Sequence, residues 1–71
     1  AYTALGDIYR QQEDWQQAKE MYLKALEIKP DDAQIAQNLG ETYQKLEQPQ
    51  KAIEMYLQAI TIEPKKGELY N

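Results

Sequence analysis

The chain has 71 residues, a net charge of −4 and an isoelectric point near 4.6. It can build one small core at most, and a chain of that size draws only a few kcal/mol from it. Cys and His are absent, which removes disulfides and thiolate metal sites, while the acidic balance argues against nucleic acid and anionic membranes as partners.

No window approaches the roughly 18 uninterrupted apolar residues of a membrane span, and the first residues carry neither the basic nor the apolar part of a signal peptide. Ser, Val and Phe are also missing, while Leu, Ile, Ala, Gln and six Tyr are plentiful. These are mostly helix-forming residues, so the expected fold is all-α.

In chain order, Ala1, Leu5, Ile8 and Tyr9 form one apolar stripe at helical spacing and predict a first helix to Gln12. Glu13-Asp14 interrupts it. Asp14 is placed to cap a second helix over Trp15 to Ile28, with Gln17 in the reciprocal capping-box position. Its predicted inner face is Trp15, Ala18, Met21, Tyr22, Ala25, Leu26 and Ile28, and Glu20 with Lys24 forms a favourable pair one turn apart.

Pro30 stops this helix, and Asp31-Asp32 precede the next, where carboxylates suit the positive end of the helix dipole. A third helix is predicted over Ala33 to Leu46, with Ile35, Ala36, Leu39, Thr42, Tyr43 and Leu46 facing in. Pro49 takes a first-turn position that proline tolerates. The fourth helix then runs to Ile62, burying Ala52, Ile53, Met55, Tyr56, Ala59, Ile60 and Ile62. Pro64 closes the pattern, and 67–71 resemble the first turn of a fifth helix, with Leu69 and Tyr70 in register with Ile35 and Ala36.

The second half of the chain repeats the first. Leu5-Gly6 returns as Leu39-Gly40, Tyr9 as Tyr43, Ala18 as Ala52, Tyr22 as Tyr56, Ala25 as Ala59 and Pro30 as Pro64, each 34 residues on. A fixed period of this size marks a stacked repeat array. The expected division is one repeat region, with units over 1–32, 33–66 and the start of a third at 67–71. It begins part-way into a unit, as a piece of a longer protein would. Gly6 and Gly40 fall inside helices, where glycine costs roughly 0.5 to 1 kcal/mol relative to alanine. A close approach by the partner helix is the expected compensation, and Ala18, Ala25, Ala52 and Ala59 serve the same crossing.

The series Tyr2, Leu5-Gly6, Tyr9, Ala18, Tyr22, Ala25, Pro30, with its second copy, resembles the tetratricopeptide repeat over essentially the whole chain. The resemblance implies helix-turn-helix units stacked as a right-handed α-solenoid, and a non-enzymatic protein-binding role. It departs from the pattern at Ala36, where the family has a large aromatic. Glu13 and Glu47 stand where the turn usually has Gly, which predicts a strained or altered turn.

The resemblance also implies that the first helix of each pair lines a concave groove for a partner peptide. The groove candidates are Thr3, Asp7, Arg10 and Gln11, then Gln34, Gln37, Asn38, Glu41, Gln44 and Lys45. One subclass clamps the acidic tails of heat-shock chaperones with Lys and Asn. Asn38 holds one clamp place, but Thr3 and Asp7 replace the first unit's Lys and Asn, so the expected partner is a polar to mildly basic peptide. A second expectation is homo-oligomerisation through apolar repeat ends.

No catalytic residue, cofactor or metal is expected. Without Ser, Cys or His the usual nucleophile–base pairs cannot be assembled. Asp7 and Glu41 lack a third ligand, and the Tyr stripe faces the core and is no platform for stacked bases.

Overall fold

Two glutamates set the shape of the turns. In the computed structural model, which describes residues 1–62, Glu13 and Glu47 both adopt φ 61°, the left-handed conformation that costs a side chain-bearing residue about 1–2 kcal/mol. They sit just past α1 (Tyr2–Gln11) and α3 (Ala33–Lys45). Behind each, the chain doubles back through a paired hydrogen-bond closure. Asp14 N–H donates to the Tyr9 carbonyl at 2.9 Å and Glu13 N–H to that of Arg10 at 3.0 Å. The second turn repeats this with Gln48 to Tyr43 at 2.9 Å and Glu47 to Gln44 at 3.1 Å. This is the Schellman closure, whose left-handed position normally belongs to glycine. The altered turn expected from Glu13 and Glu47 is thus the usual turn, held in a costly conformation.

The other two helices are α2 (Trp15–Ile28) and α4 (Pro49–Ile62), within a residue or two of the predicted limits throughout. Asp14 accepts from Gln17 N–H at 3.5 Å, and Asp32 accepts from Gln34 and Ile35 N–H at 3.0 and 3.3 Å. The reciprocal half of the capping box is not formed, because the Asp14 N–H is already taken by Tyr9. The Glu20–Lys24 pair is not formed either. The Lys24 ammonium lies 5.8 Å from the centre of the Tyr2 ring instead, a cation–π contact across α1 and α2.

Successive helices pack on one another, α1 on α2, α2 on α3 and α3 on α4. The core joins Ala18, Tyr22 and Ala25 of α2 to Ile35, Leu39 and Tyr43 of α3 and Ala52 of α4, with Tyr9, Leu26, Met55 and Tyr56 packed against it. The glycines show why small residues recur. A methyl group added at Gly6 would lie 2.7–2.9 Å from the Tyr22 ring, and one at Gly40 would lie 2.9–3.1 Å from the Tyr56 ring. In both pairs the tyrosine ring occupies the space that the missing side chain leaves.

All six positions predicted to face inward on α3 are buried or half-buried, because this helix has neighbours on two sides. The other stripes need correction. Ala1, Leu5 and Ile8 of the first segment, Ile28 at the end of α2, and Ile53 and Ile60 of α4 are exposed. Among the described residues α1 and α4 each pack on one partner helix, so part of each apolar stripe has nothing to cover it. The fifth-helix reading, with Leu69 and Tyr70, lies outside the described residues.

Candidate functional site

On the polar sides of α1 and α3 the side chains are organised by Arg10. Its guanidinium donates to Glu41 at 2.8 Å and lies 3.8 Å from Asp7. Asp7 in turn accepts a hydrogen bond from the Tyr22 hydroxyl. The first bond crosses from one helix pair to the other, and Tyr22 brings in α2. Four residues therefore form one chain of contacts, Tyr22–Asp7–Arg10–Glu41, at the edge of the core.

The electrostatics follow from that arrangement. Burial works against the charged guanidinium of Arg10, but the surrounding Tyr22, Glu41 and Asp7 outweigh it and hold its pKa above the ordinary value. Tyr22 is wholly buried. Burial, then its hydrogen bond to Asp7 and that carboxylate's charge, push its phenol well above the usual range. Its proton is therefore a fixed donor and not a titrating group near neutral pH. Tyr43 and Tyr56 are raised too, by burial first and then by Glu54 and Glu41 respectively.

The remaining candidates divide. Gln34 donates its amide to the carboxamide oxygen of Asn38 at 3.1 Å, and Asn38 is itself buried. Gln44 accepts from the Tyr56 hydroxyl at 3.3 Å. Lys45 turns to α2, where its ammonium lies 5.7 Å from the centre of the Trp15 ring. Gln11 and Gln37 are exposed. Thr3 is half-buried beside a cleft of about 110 Å³ that Tyr2, Ala25, Ile28 and Ile35 also line. Asp7, Arg10 and Glu41 are thus brought together, Gln34 and Asn38 form a second pair, and Lys45 stands apart from both.

Sequence reasoning missed the two tyrosine hydroxyls. Tyr22 and Tyr56 count as core by spacing, yet their oxygens reach Asp7 and Gln44. The available signal was compositional: in a chain with six Tyr and no Phe, core rings carry hydroxyls that need partners. Chemically, the network offers ion-pair and hydrogen-bonding groups. A cation held between Asp7 and Glu41 would have to displace the guanidinium that already pairs with both.

Comparison with known proteins gives one family. A family model described as tetratricopeptide repeat matches residues 1–65, and no curated protein matches the chain. Repeats of this family are typically non-enzymatic modules for protein–protein interaction, and their partners are proteins. With 65 of 71 residues matched and the helix pairs, turn closures and glycine–tyrosine contacts of a stacked helical array in place, the chain belongs to the tetratricopeptide-repeat family.

Proposed function

We propose that the chain is a peptide-binding adaptor module, divided into units at 1–32 and 33–66 with a third starting at 67. It holds an extended partner segment along the polar sides of α1 and α3. The observation that carries this reading is the compensation of Arg10. Its charge pairs with Asp7 and Glu41, and Lys45 is drawn over Trp15. The face therefore offers two carboxylates against one paired guanidinium, and suits polar or basic segments better than an acidic tail. The amides of Gln37 and Gln44 supply donors and acceptors for an extended backbone. Fluorescence anisotropy at low salt, with extended peptides of equal length carrying Lys and Arg or Asp and Glu, tests it. The basic series is expected to bind more tightly, and equal or better binding by the acidic series would overturn the reading.

A second reading is favoured by a separate observation. Leu5 and Ile8 on α1, and Ile53, Leu57 and Ile60 on α4, are exposed large hydrophobics at opposite ends of the helix order. Such faces promote association, so the chain also acts as a self-associating scaffold. Light scattering across a concentration series is expected to show mass rising with concentration. A monomeric, cooperatively folded species at every concentration would refute it.

A further inference from the structure

We infer that Arg10 is an internal stand-in for the partner's cation: it covers the carboxylates of the peptide-binding face, and a basic side chain of the bound segment displaces it from Glu41. The inference rests on the proposed peptide-binding reading and adds to it the contact that opposes binding. Arg10 is the only arginine in the sequence. Among the described residues both ion pairs belong to it, whereas Lys24, Lys45 and Lys51 lie over the rings of Tyr2, Trp15 and Tyr43. Asp7 and Glu41 are therefore covered by a guanidinium that comes from the chain itself.

The hold of this guanidinium is loose. One nitrogen donates to Glu41 at 2.8 Å, but the other stands 3.8 Å from Asp7, beyond hydrogen-bond reach. The two-pronged geometry that makes arginine–carboxylate pairs strong is absent. Glu41 Oε1 and Asp7 Oδ1 are engaged, while Glu41 Oε2 and Asp7 Oδ2 have no hydrogen-bond partner among the described residues. All three side chains are partly exposed, so Arg10 can turn to water at little cost and an incoming cation can reach both acids without being buried. Asp7 is anchored separately by the Tyr22 hydroxyl, and it keeps its place when the arginine leaves.

A second observation points to a ligand beside the pair. Asn38, one turn before Glu41 on α3, is 7% exposed. Its oxygen accepts from Gln34 at 3.1 Å, but its amide nitrogen donates to nothing among the described residues. No buried side-chain polar atom among those residues lacks a partner, so this nitrogen is the part of Asn38 that opens to the surface. A donor presented from so buried a side chain suits a carbonyl of an extended segment. A segment carrying Lys or Arg satisfies both groups, its backbone at Asn38 and its cation in the place of Arg10.

Two measurements test this. In the isotope-labelled wild type, the Nε–H signal of Arg10 belongs to the sole arginine and is followed by NMR as an unlabelled extended peptide carrying Lys is added. It is expected to move in the direction that Glu41→Gln alone moves it. A saturated chain whose signal is unmoved, or moved the other way, overturns the inference. Fluorescence anisotropy at about 0.15 M salt, where charges more than about 8 Å apart are largely screened, gives the second reading. Arg10→Gln, which copies Gln44 at the equivalent position, is expected to bind the Lys peptide about two- to fivefold more tightly, the scale of an exposed ion pair. Lys45→Gln removes the same charge without touching Glu41, and it should change binding less than about twofold, as should Arg10→Gln added to Glu41→Gln. If Arg10→Gln binds no more tightly, or either control gains as much, the displacement is wrong while the peptide-binding reading stands. If Arg10→Gln lacks native helicity by circular dichroism, the wild-type NMR titration decides alone. A wild type that binds the Lys peptide no better than an acidic one overturns both.

Discussion

Replacing Gly6 and Gly40 by alanine should have unequal effects although the two sites are equivalent in sequence. Each substitution gains about 0.5–1 kcal/mol of helix propensity. At Gly6 the new methyl would stand 2.7–2.9 Å from three atoms of the Tyr22 ring, against the roughly 3.5–4.0 Å at which carbons attract. Tyr22 is wholly buried and its hydroxyl is bonded to Asp7, so retreat of the ring would break that bond and push into α3. Overpacking of this kind costs about 1–3 kcal/mol, and Gly6→Ala is expected to destabilise by about 1–2 kcal/mol after the propensity gain.

At Gly40 the separations are 2.9–3.1 Å, the ring belongs to the half-buried Tyr56, and its 3.3 Å bond to Gln44 lies in solvent. The ring can give way there, and Gly40→Ala is expected within about 0.5 kcal/mol of wild type, the scale of substitutions away from rigid packing. Urea unfolding followed by helical circular dichroism and by Trp15 fluorescence measures both. Tyr22→Leu combined with Gly6→Ala should recover part of the loss as a coupling energy. Equal costs at the two sites, or a Gly6→Ala variant as stable as wild type, would refute the reasoning.

Three further outcomes are expected. Glu13→Gly and Glu47→Gly each relieve a left-handed glutamate and should stabilise by about 0.5–1 kcal/mol in the same unfolding assay, since the relief of about 1–2 kcal/mol outweighs glycine's added freedom in the unfolded chain. A double-mutant cycle on Arg10→Ala and Glu41→Ala should give a coupling below about 1 kcal/mol that shrinks with salt, because the side chains are 30% and 44% exposed. The tyrosine contribution to stability should be constant below about pH 10, where an unfolded tyrosine remains protonated, and fall above it. The unfolded state loses its phenol protons first, since burial raises Tyr22, Tyr43 and Tyr56 in the folded chain. Tyr22→Phe should move the alkaline unfolding midpoint upward.

The helices were legible because their limits are set locally. Asp14 and Asp32 cap, Pro30 stops α2 and Pro49 opens α4, and none of these needs knowledge of the rest of the chain. The inner faces were legible only where a helix has two neighbours. Leu39 and Leu5 sit at equivalent positions in matching patterns, yet one is fully buried and the other 43% exposed. Periodicity identifies the stripe, and only packing identifies what lies against it. The polar face was harder still. Nothing in the spacing of Arg10 separates a side chain pointing to solvent from one that bridges Asp7 and Glu41, because that choice depends on how the second helix pair sits on the first.

The same dependence explains why the two halves, alike in framework, differ in their polar contacts. Tyr22 and Tyr56 each lie over a glycine, but Tyr22 donates to Asp7 while Tyr56 donates to Gln44. Gln44 stands at the position of Arg10, and Glu41 at that of Asp7. In the first half, the tyrosine binds the acid, and the adjacent arginine pairs with both Asp7 and Glu41 across the two halves. In the second half the tyrosine hydroxyl donates instead to the amide at the arginine's counterpart. Two changes, Asp7 to Glu41 and Arg10 to Gln44, accompany the redirected ring hydroxyl and leave α1 and α3 joined by one ion pair. Gln44→Arg would place a cation within reach of Glu41 and compete with Arg10 for it. The preference for basic over acidic peptides should then weaken, in the same anisotropy titration, with the helix framework unchanged by circular dichroism.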